Sequence, residues 1–203
     1  MTQIAIARSP VDLSIELGSA LQISDDELFE LCVRNPELRI ERTAEGDLTV
    51  MTPAGGASSH RNFEVAGALR EWAKRDGTGV GFDSSAGFLL PNGAMRAPDA
   101  AWVLRSRLEP LSAEAKERFI PLTPDFVVEL RSPSDRLADL ERKLEEYRDQ
   151  GARLGWLIDP QERRVHVYRP GRPPEVLDDP AEVSGDPELP GFLLDLEPIW
   201  APL

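Results

Sequence analysis

The sequence predicts a mixed α/β fold, α/β in the α+β sense: a mixed β-sheet core flanked by helices, with an N-terminal helix-hairpin extension. Three observations carry this. The middle of the chain reads α-β-β-β-α-β, an order that packs helices on a sheet. Hydrophobic residues make up 41% and charged residues 29% of the 203, which are globular values. No internal repeat interrupts that order.

Residues 1–22 read as a weakly structured arm, and 23–203 as one domain that ends in an acidic tail. Ser24-Asp25-Asp26-Glu27 is a capping box ahead of Leu28, Leu31 and Cys32, so a short helix should run to about Arg34. Leu38–Arg42 and Leu48–Met51 read as two strands turned at Glu45-Gly46-Asp47. Ser58 or Ser59 caps the next helix, His60 to Arg75, whose stripe is Phe63, Ala66, Leu69 and Trp72/Ala73 and whose end is Gly77. Strand pattern follows from Gly79 to Leu104, with a turn at Pro91-Asn92-Gly93. Leu108–Phe119 is a charged loop or short helix. An apolar strand, Phe126 to Leu130, then leads through Ser132-Pro133-Ser134 into a helix over Asp135–Gln150, ended by Gly151. Strands Gly155–Ile158 and Arg164–Tyr168 flank Asp159-Pro160. The tail after Pro170 closes with Leu193-Leu194 and Ile199-Trp200, apolar pairs able to dock on the core.

The totals exclude several classes. Cys32 is the only cysteine, so no intrachain disulfide and no cysteine-based zinc site can form, and a reducing, cytoplasmic setting is expected. Cys32 itself reads as a small buried hydrophobe. No apolar run is long enough to span a membrane, and the first residues lack a signal-peptide pattern. The net charge of −13 opposes nucleic-acid binding through a general basic field. That charge is uneven, however: residues 1–50 carry −6, residues 174–203 carry −8, and the middle is balanced at +1. The acidity therefore lies on the flanks.

Side chains alternate along a strand, so Asp125, Val127, Glu129 and Arg131 share one face, while Phe126, Val128 and Leu130 share the other. A glutamate among apolar neighbours is costly to bury unpaired, so Glu129 needs a cation. Asp99 heads the strand Pro98-Asp99-Ala100-Ala101-Trp102-Val103. If the two strands are neighbours, both carboxylates can converge on a hard cation such as Mg²⁺. On the following helix Leu137, Leu140, Leu144 and Tyr147 form the apolar stripe, and Lys143 lies about 60° from Leu140 on its edge. From there an ammonium can lean over the carboxylates and orient a water or steady a phosphate. Each residue also has a structural reading. Pro-Asp at a strand start is ordinary turn chemistry, Lys143 can be a solvated face, and His60 and His166 suit structural roles. No phosphate-binding glycine loop and no serine-nucleophile frame is present.

Taken together, Glu41-Arg42-Thr43-Ala44-Glu45-Gly46-Asp47-Leu48, Pro98-Asp99, Pro124 through Ser134, Lys143 through Tyr147, and Gly155-Trp156-Leu157-Ile158-Asp159-Pro160 come in the order and spacing of one family. The chain resembles the Uma-two family of restriction endonucleases, and Leu189-Pro190-Gly191-Phe192 resembles its C-terminal signature. The likeness covers roughly residues 24–200. It implies the restriction endonuclease-like PD-(D/E)xK fold and a centre that hydrolyses phosphodiester bonds of nucleic acid, DNA before RNA, with Mg²⁺ or Mn²⁺. Asp99 and Glu129, with a backbone carbonyl near Leu130, would match the metal-binding acids. The usual motif places its lysine where this chain has Arg131, which cannot give up its proton. The resemblance therefore points to Lys143 as the migrated lysine. Asp125, Glu64, Arg131 and His60 remain accessory candidates, and Glu45 falls in a turn.

Two other function classes compete. The fold can serve as a non-catalytic binding or assembly module, with the acids held as an ion-pair cluster by Arg131, Arg136 and Lys143. A glycosidase built on paired carboxylates fits poorly with 6% aromatics. A homodimer is the expected assembly.

Overall fold

The computed structural model describes residues 5–8, 13–16, 23–51 and 53–201. In chain order the elements are β1 (Ala5–Arg8), β2 (Leu13–Glu16), α1 (Asp25–Arg34), β3 (Arg39–Arg42), β4 (Leu48–Met51), α2 (Gly56–Asp76), β5 (Gly79–Asp83), β6 (Phe88–Leu89), β7 (Met95–Arg96), β8 (Ala100–Leu104), α3 (Arg105–Leu108) and α4 (Ala113–Lys116). They continue with β9 (Phe126–Leu130), α5 (Leu137–Asp149), β10 (Leu154–Asp159), β11 (Arg164–Tyr168), β12 (Glu175–Asp178), β13 (Glu182–Ser184), β14 (Leu193–Asp195) and α6 (Glu197–Trp200). They gather into two compact units. One draws on Met1–Pro53, Gly87–Ala97 and Ser112–Leu122, the other on Ala54–Ala86, Pro98–Leu111 and Thr123–Leu203.

The first unit is a sheet of order β1-β2-β4-β3-β7-β6, antiparallel throughout. Its helix α1 begins at the expected capping box: Ser24 N–H donates to Glu27 Oε2 at 2.9 Å, and Glu27 N–H donates to Ser24 Oγ at 3.3 Å. Gly46 turns the β3–β4 hairpin at φ 97°, a conformation that glycine adopts without strain. Leu28, Ile40, Leu48 and Met95 form the core. The weakly structured arm expected over residues 1–22 needs correction. Ala5–Arg8 pairs with Leu13–Glu16, and that strand pairs with β4; the rest of the arm lies outside the described residues. The sequence boundary at residue 22 does not coincide with the division into units, because Arg42 pairs with Met95 about a quarter of the chain away. A local reading cannot see such a partner.

The second unit holds the sheet β12-β11-β10-β9-β8-β5. β9 and β10 run parallel, joined through α5, and the other pairs are antiparallel. Every residue of β9 and β10 is buried, as expected for central strands covered on both faces. Phe126, Val128 and Leu130 face a core shared with Val65, Leu69 and Trp72 of α2. Helix α5 covers the opposite face. There a Cβ added at Gly155 would lie 2.7 Å from Leu144 Cδ1, so glycine lets this helix approach the sheet closely. The tail does dock: Phe192, Leu194 and Ile199 join the α2-side core, and Phe192 stacks on Trp156 at 5.4 Å.

Helix α2 starts earlier than expected. Its N-cap is Gly55, with no side-chain cap, and Ser58 and Ser59 lie inside the first turn. The charged stretch after Leu104 resolves into two short helices, the second capped by Ser112 through Ala115 N–H.

Candidate functional site

Strands β8 and β9 are antiparallel neighbours, with Ala100 opposite Val128 as the last pair of their ladder, so Asp99, just before β8, lies at the end of the strands where Glu129 and Leu130 close β9. Asp99 is half-buried, and its Oδ2 accepts a hydrogen bond from Leu130 N–H at 2.9 Å. Its Oδ1 accepts from Asn62 Nδ2 at 3.2 Å, so α2 fixes the second oxygen. Asn62 Oδ1, the other end of that amide, is buried and has no hydrogen-bond partner among the described residues.

Glu129 is only 3% exposed. The cation it requires is Lys143, whose Nζ lies 2.9 Å from Oε1. Tyr147 O–H donates to the same oxygen at 3.1 Å. Lys143 and Tyr147 are four residues apart on α5, which puts both tips on one helical face. The close approach permitted by Gly155 brings that face onto β9. Lys143 has left the solvated face that its charged neighbours suggested, and its side chain is 11% exposed. Tyr147 was legible only as a member of the apolar stripe; it is wholly buried and also serves the carboxylate.

The accessory candidates are placed elsewhere. Asp125 sits four residues away along β9, roughly 13 Å at strand rise. It is held by Leu104 N–H at 2.9 Å and by Arg107 at 3.0 Å. It is a strand-start clamp, not a companion of Glu129. Arg131 reaches away to buried Asp159 at 2.6 Å, which explains why the usual lysine position can hold an arginine here. His60 and Glu64 face each other across one turn of α2 at 4.0 Å. The α2 residue that touches Asp99 lies between them: Asn62, a neutral amide that no charge pattern marks.

Asp99, tied to Leu130 N–H, and Glu129, paired with Lys143, bring two carboxylates and one lysine to one end of the inner strands of a mixed sheet covered by helices. The model of the Uma2 family, described as "Putative restriction endonuclease", matches residues 25–197, and the chain belongs to that family. The chain is also similar to the crystal structure of a "putative nuclease belonging to DUF820" from Anabaena variabilis. That likeness has a TM-score of 0.70 and 23% identity, and it covers 88% of this chain and 97% of the other. It bears out the mixed, nuclease-like α/β fold. No curated protein matches the sequence. Among the described residues, no helix is long and apolar enough to cross a membrane.

Proposed function

We propose that the chain is a divalent-metal-dependent endonuclease acting on DNA, with Asp99 and Glu129 as the metal-holding acids and Lys143 as the catalytic cation. One observation carries the proposal: Asp99 accepts from the N–H of Leu130, the residue after Glu129, and Lys143 lies 2.9 Å from Glu129. The donor set suits a hard, hydrated cation. Both acids offer carboxylate oxygens, and the unpartnered Asn62 Oδ1 can accept from a water bound beside Asp99. Among the described residues no cluster of three acid, histidine or cysteine ligands forms, so water would complete the coordination. When bound, Mg²⁺ or Mn²⁺ lowers the pKa of a water and polarises the scissile phosphate.

The chain's own groups do the remaining work. Leu130 N–H and Asn62 hold Asp99 in one rotamer. Tyr147 holds Glu129 and leaves the Lys143 ammonium able to donate toward the phosphate. That placed charge counters the negative charge developing on the phosphate oxygens in a site away from bulk water.

A single observation favours the other reading, a non-catalytic module: Glu129 Oε1 is already engaged by both Lys143 and Tyr147. Calorimetry separates the two. A metal site gives Mn²⁺ binding that Glu129→Gln removes, whereas an ion-pair cluster gives none. Activity is checked with purified protein and supercoiled plasmid. Nicking is expected with Mg²⁺ or Mn²⁺ and should vanish in Asp99→Asn. An Asp99→Asn protein that nicks like wild type would reject the site. Sizing by light scattering under the same conditions tests the homodimer.

A further inference from the structure

Strand β5 is an edge of the second unit's sheet, and two of its positions on the α2 side, Gly79 and Gly81, carry no side chain. A Cβ at Gly81 would meet only Leu69 and Ala73 of α2, at 3.8 and 4.0 Å. At Gly79 the Trp102 ring takes the place of a side chain, while the bare Gly81 helps to leave a groove of about 550 Å³ between α2 and β5. Its floor is apolar. Phe63 stands at one end, 74% exposed, and Arg70, Lys74 and Arg105 border the groove with exposed side chains. Arg70 pairs with its neighbour Glu71, an exposed pair that a phosphate displaces at little cost.

The groove begins at the candidate centre. Phe63 directly follows Asn62, the residue that holds Asp99, and Asp83 pairs in register with Ala100, the residue after Asp99. In a chain of net charge −13, a groove lined by three cations and one acid, Asp83, is a local inversion that suits an anionic ligand with flat apolar faces. Phosphates with unstacked bases have that chemistry. Single strands bind where a basic groove tracks the backbone and aromatic rings stack the bases. A duplex hides its base faces and cannot use the floor.

We infer that the α2–β5 groove binds a single-stranded segment of nucleic acid adjoining the cleavage centre, with phosphates toward Arg70, Lys74 and Arg105 and a base on Phe63. This rests on the nuclease reading and narrows its substrate to DNA with a single-stranded region, such as a flap, gap or overhang.

Fluorescence anisotropy in EDTA reads binding without cleavage. The probes are a labelled oligothymidylate of about twelve nucleotides and a duplex of equal length. The single strand should bind the full chain more tightly than the duplex, and its affinity should fall as salt rises from about 50 to 200 mM. Arg70→Glu combined with Lys74→Glu should weaken it at least tenfold and flatten the salt dependence. Phe63→Ala should weaken it about tenfold while the melting temperature stays unchanged, since the ring is exposed. Gly81→Val fills the floor and should weaken it as well. Variants that bind like wild type, or a wild type that prefers the duplex, overturn the inference. So does a Gly81→Val protein that changes oligomeric mass but not affinity, which would make the groove a protein interface. Groove-dependent binding without plasmid nicking would reject the nuclease reading alone. Nicking with binding indifferent to the groove variants would reject the groove alone.

Discussion

The two ends of β9 carry the same chemical problem with different solutions. Asp125 and Glu129 share one face of the strand, are 2% and 3% exposed, and each pairs with a cation. Asp125 takes Arg107, whose side chain is 36% exposed, together with a backbone N–H. Glu129 takes Lys143 and a phenol, and Asp99 is bonded to the N–H of the next residue, Leu130. A buried acid with a cation is thus only a satisfied carboxylate. A second acid tied to the adjoining Leu130 and a cation able to exchange its proton set the Glu129 end apart.

The largest expected effect breaks this comparison if it is false. Glu129→Gln should lower plasmid cleavage by more than about a hundredfold, since it removes the carboxylate charge proposed to hold the metal. Asp125→Asn should leave cleavage near wild type and instead lower stability by about 1–3 kcal/mol, through loss of a charge-assisted bond that is partly open to water. Cleavage rates and melting curves of both variants read the result. An Asp125→Asn protein that is stable but inactive would show that both ends of the strand serve the reaction.

Exchange of the cations sharpens the contrast. Lys143→Arg keeps the charge on Glu129 but replaces a compact, proton-exchanging ammonium with a permanent fork, so kcat should drop about tenfold to a hundredfold. Arg107→Lys keeps the charge on Asp125 and should cost about 1 kcal/mol or less, with no change in kcat. Tyr147→Phe comes next in size. Glu129 keeps Lys143 but loses the phenol, which should cost about 1 kcal/mol in melting experiments and cut cleavage through a less firmly held acid.

How much of this was legible follows from the range of each signal. Alternation along β9 marks Glu129 as an intruder among apolar residues, and a pleat sends it to one face, so the acid and its need for a cation were readable. Asp99 was readable as a candidate because it heads the strand Ala100–Val103 and because Pro98-Asp99 fits the family resemblance. Tyr147 was hidden, because a tyrosine in an apolar stripe shows its ring to the eye and not its hydroxyl. Asn62 was hidden because a half-buried amide leaves no trace in charge or hydropathy. Its place between His60 and Glu64, both of which were readable, was the only hint. Strands β6 and β7 have two residues each and pair locally around the expected Pro91-Asn92-Gly93 turn, but β7 also joins β3 through Arg42 and Met95, far apart along the chain. Their membership in the hairpin's sheet was beyond local reading, as was the pairing of β12 with β11.

The smallest expected effect concerns the row of the sheet that contains Glu129. In register, Glu129 stands beside Leu157 and Leu157 beside His166, so the histidine lies on the same face two strands away. Its Nδ1 is 3.7 Å from Glu141 on α5, and its buried Nε2 has no hydrogen-bond partner among the described residues. Burial holds its pKa below the ordinary value of 6.5, outweighing the attraction of Glu141 and Asp159, while Arg164 pushes the same way as burial. The folded chain therefore resists a proton that the unfolded chain accepts. Stability should be level above pH 6.5 and fall as pH drops below it, until the folded histidine itself titrates, with a slope of at most about 1.4 kcal/mol per pH unit. His166→Gln should flatten that slope in denaturant titrations between pH 5 and 7 without changing cleavage at neutral pH, because Leu157 separates the ring from the acid. An undiminished slope in His166→Gln would move the acid sensitivity to another group. Cleavage lost at neutral pH in a stable His166→Gln protein would extend the working end of the sheet one strand beyond β10.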